Sequence, residues 1–399
     1  MDFRGLQGRP RAVRCPLRVL EAPFHLRKPM NSTRPVIVVV TAALLGSAAA
    51  DSKTVHAQSG TQTVRLADVQ MRDASVLTDT ASDTYYIVAS ARGAAVRAYT
   101  SRDLVNWEGP HIVYRTPSEM WEDDVDIRGI WAPELHAYNG KYYLFLTFDS
   151  TTELPEQWAG WFEWLPRVRR ASQVLVSDSP LGPFTPFSNE PTLPKEMMTL
   201  DGTLWVEDDV PYMVYCHEWV QIVDGAISMI QLEDDLSATK GEAKVLFRGS
   251  DAPWAQRSPT HGSWVTDGPW LHRSESGRLF MLWSSFSETG YTVGIAVSES
   301  GKLAGPWVQQ SEPVYRDDGG HPMLFRTFDG RLMMSLHSPN QGPGQRIHFL
   351  EMEDTGETLR IIREFVPDRD VHLPGERRGD RNGDVRDEKR IEPRRRASN

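Results

Sequence analysis

Five short apolar strands in this chain each carry a polar residue at their start, at nearly constant intervals. They are Asp73 in RDASVL, Glu134 in WAPELH, Asp201 in LDGTLW, Asp267 in TDGPWL and His321 in GGHPMLF. The intervals are 61, 67, 66 and 54 residues. A second hydrophobic run follows each one: TYYIVAS, KYYLFLTF, VPYMVYC, RLFMLWSS and RLMMSLHS. A β-unit repeated at this period is the signature of a propeller blade. The expected fold is therefore all-β, a five-bladed β-propeller. The innermost strand of each blade lines the central channel, so the five polar residues should converge on one axis. A β-sandwich competes as a fold but predicts no such period.

The rest of the central region agrees. Between Val64 and Val366 helical periodicity is scarce, and apolar runs alternate with Gly, Asp, Asn and Pro. YNGK (138–141), ESGR (275–278) and FDGR (328–331) read as hairpin turns, with Gly supplying positive φ. A second repeat runs out of phase with the first: AYTSRDLVNWEGP (98–110), VLVSDSPLGPFTP (174–186) and IAVSESGKLAGPW (295–307). These are expected as third strands of blades 1, 2 and 4. The segment VRLADV (64–69) is expected to close the ring by pairing with the last blade.

The ends look different. VIVVVTAALLGSAAA (36–50) is an apolar stretch behind Arg34, followed by small-residue cleavage sites at Ala48–Ala50 and Val55–Ala57. It is too short to span a bilayer with normal flanks. Residues 1–57 are expected to be a signal peptide with an over-extended N-terminus, the true start being Met30. Secretion or periplasmic export follows. The propeller would then occupy 58–370, and 371–399 a charged, disordered tail. Residues 1–57 hold 9 Lys/Arg and 3 Asp/Glu, which leaves 35 basic and 51 acidic residues, a net charge of −16. That excludes nucleic acid and anionic membrane as natural partners. Cys216 would be the sole remaining cysteine, so the core alone must hold the fold. A monomer is expected.

Carboxylates crowded on one axis suit glycoside hydrolysis. That reaction needs one carboxylic acid to protonate the leaving oxygen and one carboxylate to activate water or attack carbon. A third carboxylate nearby keeps the acid protonated, because like charges disfavour ionisation. Asp73, Asp201 and Asp267, from blades 1, 3 and 4, can meet in this way. A lone Asp is more often a turn cap; a position repeated across blades argues for more.

RDASVL, WAPELHAYNGKYYLFLTF, LDGTLW and DGPWL, with Ser101 to Trp107 as S-x-D-L-x-x-W, resemble glycoside hydrolase family 43 over roughly 65–365. That resemblance implies a five-bladed propeller and an inverting glycosidase. It implies Asp73 as general base, Asp201 as the residue that tunes and orients the acid, and Asp267 as general acid. Two departures stand out. Ala74 replaces the usual Pro, and Asp267 replaces the usual Glu before Gly-Pro. Asp is one methylene shorter, so Glu218 in CHEW is a rival acid, and loss of the acid with retention of sugar binding is a third alternative. His321 stands where the family often has a histidine beside a water-coordinated calcium; a histidine merely hydrogen-bonded in the channel is the other reading. No other cofactor is required, and the ligand spacing of a zinc site is absent.

Glu134, His321, Trp131 and Trp270 are expected to contact substrate, the two tryptophans by stacking on sugar faces. The insert 153–170, with Trp158, Trp161 and Trp164, would either wall a subsite or pack against a neighbouring blade. The expected function is an exported inverting glycoside hydrolase that cleaves terminal arabinofuranosyl or xylosyl linkages in plant-type oligo- or polysaccharides. The alternatives are a non-catalytic carbohydrate-binding propeller and an enzyme for another sugar, such as galactan. A retaining fructosidase is disfavoured, because its Glu-Cys motif and WMNDPNG-like start are missing.

Overall fold

Twenty-one strands run through the computed structural model, which describes residues 61–121, 124–158 and 165–366. The expectations for residues 1–57 and 371–399, and for Trp161 and Trp164, lie outside these residues. Strand β1 (Gln62–Arg65) comes first. Blade 1 follows as β2 (Ser75–Asp79), β3 (Thr84–Ala91), β4 (Ala95–Ser101) and β5 (Asn106–Arg115). Blade 2 is β6 (Ile127–Tyr138), β7 (Lys141–Glu153), β8 (Val168–Ser177) and β9 (Thr185–Pro186). Blade 3 is β10 (Thr199–Glu207), β11 (Val210–His217), β12 (Ala226–Leu232) and β13 (Thr239–Arg248). Blade 4 is β14 (Asp267–Arg273), β15 (Leu279–Ser287), β16 (Gly290–Ser298) and β17 (Trp307–Gln309). Blade 5 is β18 (Gly320–Arg326), β19 (Leu332–Ser338), β20 (Arg346–Asp354) and β21 (Leu359–Glu364). Each blade is an antiparallel meander with its strands in chain order, and the five form a five-bladed β-propeller. β4, β8 and β16 are the third strands that the out-of-phase repeat marks.

The second strands show why their sequences read as unbroken apolar runs. Successive side chains of a strand point to opposite faces, and here both faces are buried between blades. Tyr85 and Ile87 pack toward blade 5 with Met323, Phe325 and Phe349, while Tyr86 and Val88 pack toward blade 2 with Leu144 and Phe148. In blade 3 Met213 and Tyr215 join Tyr143 and Phe145, whereas Val214 and Cys216 join Met281 and Trp283. Phe280 and Leu282 complete the ring against Leu324 and Met334. One apolar cluster thus fills each junction between neighbouring blades.

The YNGK hairpin is a two-residue turn. Tyr138 pairs with Lys141, and Asn139 (φ 48°) and Gly140 (φ 75°) are both left-handed, as a type I′ turn demands.

Ring closure differs from the sequence expectation. β1 pairs antiparallel with β5, Val64 opposite Trp107, and so widens blade 1 rather than joining the last blade. Blade 5 supplies its own fourth strand, β21, so that edge is already taken. The N-terminal segment still helps to close the ring by packing. Leu66, Val69 and Met71 enter the cluster between blades 1 and 5, and Arg346 Nε donates to the Ala67 carbonyl at 3.2 Å.

Candidate active site

A backbone irregularity recurs at the head of each inner strand. The ladder slips between Trp131 and Glu134, Leu200 and Thr203, Asp267 and Trp270, and Gly320 and Met323. Inside each slip one residue takes positive φ: Ala132 (39°), Asp201 (54°), Gly268 (52°) and His321 (56°). Asp73 (50°) does the same just before β2. Such bulges bend a strand and re-aim a side chain. A non-glycine residue held this way carries strain of about 1–3 kcal/mol, and such strain concentrates at functional sites. Gly268 has no alternative: a Cβ there would meet the His321 backbone and ring at 3.0 Å.

The bulges redefine the repeat. Equivalent positions are Asp73, Ala132, Asp201, Gly268 and His321. Asp267 therefore sits one residue upstream of the repeat position, and Glu134 and Trp270 sit two residues downstream. At about 3.3 Å per residue, that displacement carries a side chain 6–7 Å along the strand. Neither Glu134 nor Trp270 lines the cleft. Glu134 Oε2 instead meets His136 Nε2 at 2.9 Å, and the His136 ring stacks on Trp270 at 5.9 Å between centroids. Both were expected to contact substrate, and the structure places them beside the cleft lining and not in it.

The other candidates do converge. A cleft of about 1230 Å³ takes lining residues from all five blades, among them Asp73, Trp131, Asp201, Glu218, Asp267 and His321. Asp73 Oδ2 accepts from Arg72 Nε at 3.0 Å, and Arg72 Nη1 is anchored on the Asn340 carbonyl at 2.6 Å. Asp73 Oδ1 lies 3.1 Å from His337 Nδ1 and 3.5 Å from His321 Nδ1, yet is buried with no hydrogen bond. Asp201 Oδ2 accepts the Gly268 N–H at 2.9 Å, which ties blade 3 to the backbone beside Asp267. Asp267 Oδ2 accepts the Tyr291 O–H at 2.9 Å.

These surroundings push the three carboxyls apart. Burial opposes ionisation of Asp73, but His321, His337 and Arg72 outweigh it and hold its carboxyl well below the usual range. Burial, then the Asp73 charge, pushes Asp201 well above it. Burial, then the Asp201 charge, pushes Asp267 up to about 7. One carboxylate stays ionised while a neighbour stays protonated near neutrality. That is the division of labour that acid–base hydrolysis uses.

The raised Asp267 has a stability consequence. Between its ordinary pKa of 3.8 and about 7 the folded state keeps a proton that the unfolded state has lost. Folding stability therefore falls across that window and stays low above it. Asp267→Asn is expected to melt at a higher temperature than the parent at pH 8, with the gain vanishing below pH 4. Thermal denaturation at the two pH values measures this.

Glu218, the rival acid, is engaged elsewhere. Both its oxygens accept from Arg170 Nη1, at 2.6 and 2.5 Å, and Arg170 also holds Asp149 Oδ1 at 2.7 and 2.8 Å. Burial pushes the Glu218 pKa up, and Arg170 opposes the shift. The Arg170 guanidinium also lies 4.0 Å from the centre of the Trp131 ring, so the network braces the tryptophan that borders the cleft. Glu218→Gln is expected to cost about 3 kcal/mol of stability, because it leaves a buried guanidinium short of one partner. It should keep kcat within about tenfold of the parent. Urea unfolding and steady-state kinetics separate the two effects.

His321 was the candidate for calcium. Its Nδ1 faces Asp73 and Asp201 at 3.5 and 3.8 Å. Among the described residues no group of three or more His, Cys, Asp or Glu is placed to hold a metal ion. Calcium takes six to eight oxygen ligands. The calcium expected beside His321 is one held mostly by water, and no step of the mechanism runs through a cation.

Trp158 settles half of the insert. Its Nε1 donates to the Val220 carbonyl at 2.6 Å and Arg167 covers its ring at 3.8 Å, so it packs on blade 3 and not in the cleft. Two site residues escaped the sequence reading altogether. His337 pairs opposite Gly320 across the β18–β19 hairpin, and Tyr291 pairs opposite Phe286 across β15–β16. Hairpin register counted outward from the turns was the signal that could have found them.

This arrangement has relatives. The family model described as Glycosyl hydrolases family 43 matches residues 67–359. No curated protein matches the chain. An endo-arabinase from Bacteroides thetaiotaomicron VPI-5482 is 36% identical, with a TM-score of 0.64, over 73% of this chain and 97% of that one. A thermostable family-43 glycoside hydrolase is 21% identical over 76% and 94%, TM-score 0.59. An α-L-arabinofuranosidase from Lactobacillus brevis is 18% identical over 75% and 97%, TM-score 0.58. The latter two share the fold. With its propeller, its cleft carboxylates and a match to most of its length, the chain belongs to glycosyl hydrolase family 43 and is a glycoside hydrolase.

Proposed function

We propose that this enzyme hydrolyses arabinan by inversion, at bonds within the chain. The observation that carries the chemistry is the contrast between Asp73 and Asp267. Asp73 lines the cleft and stays ionised, so its carboxylate can take a proton from water. That water attacks the anomeric carbon. Asp267, protonated up to about pH 7, gives its proton to the departing glycosidic oxygen as the carbon–oxygen bond breaks. Asp201 disfavours early loss of that proton and holds the Gly268 amide. Tyr291 positions the Asp267 carboxyl, which offsets the missing methylene.

The 36% identical endo-arabinase supports arabinan over xylan. A cleft of about 1230 Å³ is roomy for one pentose, and aromatic faces stand around it. Trp131 is 37% exposed, and Trp219 stacks on His261 at 4.0 Å. Several sugars along the cleft fit this better than one terminal residue does, so internal cleavage replaces the terminal cleavage expected from sequence. Export, with residues 1–57 removed, remains part of the proposal, since a polymer of this size is met outside the cell. N-terminal sequencing of the secreted protein tests it, and a start before residue 40 contradicts it.

Linear arabinan should yield a ladder of oligosaccharides early in the reaction, with the first-formed anomer inverted by proton NMR. Release of arabinose alone from the outset would restore terminal cleavage. A first anomer of retained configuration would reject the mechanism, and binding without turnover would favour the non-catalytic alternative.

A further inference from the structure

Charge is unevenly distributed around the cleft. The carboxylates nearest the chemistry come from blades 1, 3 and 4, whereas Arg72, Arg92 and Arg97 all come from blade 1. Arg72 is committed to Asp73 and Asn340. The other two are not committed to any carboxylate. Arg97, on β4, donates from Nη2 to the Gln70 carbonyl at 2.6 Å and lies 5.9 Å from the centre of the Tyr99 ring. Its Nε is buried with no hydrogen-bond partner. Arg92 stands exposed at the tip of the β3–β4 hairpin, which turns through Gly93 (φ 74°) and Ala94 (φ 46°). Among the described residues neither arginine forms an ion pair, and Asp68, the other carboxylate on this wall, pairs with neither.

A buried donor without an acceptor is costly, and unbalanced arginines at a sugar cleft run against a chain of 54 acidic and 44 basic residues. We propose that Arg92 and Arg97 form a subsite for the carboxylate of a uronic acid residue, so that the enzyme favours arabinan joined to acidic glycan. This rests on the arabinan reading above. The guanidinium is planar, and its N–H edge matches a carboxylate in a two-point contact. The Gln70 carbonyl holds the Arg97 guanidinium in advance, and Arg97 lines the cleft with no carboxylate partner. Arg92, at the rim, adds the second charge. A neutral hydroxyl could use Arg97 but would gain little from the charge on Arg92, so charge dependence distinguishes an acidic ligand from a neutral one.

The test compares arabinan still attached to a galacturonate-bearing backbone with the same polymer after its carboxyls are reduced to alcohols. The native polymer should show a kcat/KM about tenfold higher at low salt, a gain that shrinks as ionic strength rises. Arg92→Gln and Arg97→Gln should each remove most of the gain, and Arg97→Lys should restore part of it. Activity on neutral linear arabinan and the melting temperature should stay at parental values. Calorimetric titration with trigalacturonate should give heats in the parent and none in the double Gln variant. Equal kcat/KM on the two polymers together with no trigalacturonate binding would overturn the subsite. Failure to cleave either polymer or neutral arabinan would overturn the arabinan reading instead, and trigalacturonate binding would still decide the subsite.

Discussion

Replacing Asp73 by Asn is expected to lower kcat on arabinan about 10⁴-fold while Kd for arabino-oligosaccharides stays within about twofold of the parent. Asn is nearly isosteric and can still accept from Arg72, whose other anchor is Asn340. What disappears is the charge. The side chain that His321, His337 and Arg72 keep ionised can no longer take a proton from water. The loss should appear equally with good and poor leaving groups, because water activation is required for both. Steady-state kinetics on arabinan and on a nitrophenyl arabinofuranoside, with calorimetry for binding, provide the measurement. A loss confined to KM would mean that Asp73 binds sugar and is not the base.

Asp267→Asn should divide substrates by leaving group. On arabinan, where an alkoxide must leave, kcat should fall about 10³-fold; on a nitrophenyl glycoside, whose phenol needs little help, the fall should be at least tenfold smaller. The pH profile gives a second reading. Asp267 must be protonated to act, so parental kcat/KM should fall as pH rises through about 7, and that limb belongs to the coupled Asp201–Asp267 pair. Asp267→Asn should abolish the limb. Asp201→Asn should shift it to lower pH, since it removes the charge that raises Asp267. If Asp267→Asn spared arabinan hydrolysis while Glu218→Gln abolished it, the acid role would pass to Glu218.

The division between sequence and tertiary structure runs through particular residues. Five blades were legible because a strand buried on both faces writes an unbroken apolar run, and TYYIVAS or RLFMLWSS can be little else. Their constant spacing then demanded one unit repeated around an axis. Asp73, Asp201 and Asp267 were legible for the same reason, since each heads an inner strand. Glu134 looked equivalent to them only because a repeat aligned on charge cannot register a bulge, and Trp270 was drawn in by its place beside Asp267. The slip between Trp131 and Glu134 moves the true repeat position to Ala132, and a backbone angle leaves no mark in an alanine codon. β1 was misplaced because edge pairing depends on which strands remain unpaired once the last blade is complete. His337 and Tyr291 were hidden more deeply. His337 contacts Asp73 across 264 residues of sequence, and no local pattern encodes a partner that ring closure alone brings within reach. The sequence by itself determined the blades and the three acids. Only the closed ring decided which carboxylate stays charged, because that depends on burial and on histidines delivered from the opposite end of the chain.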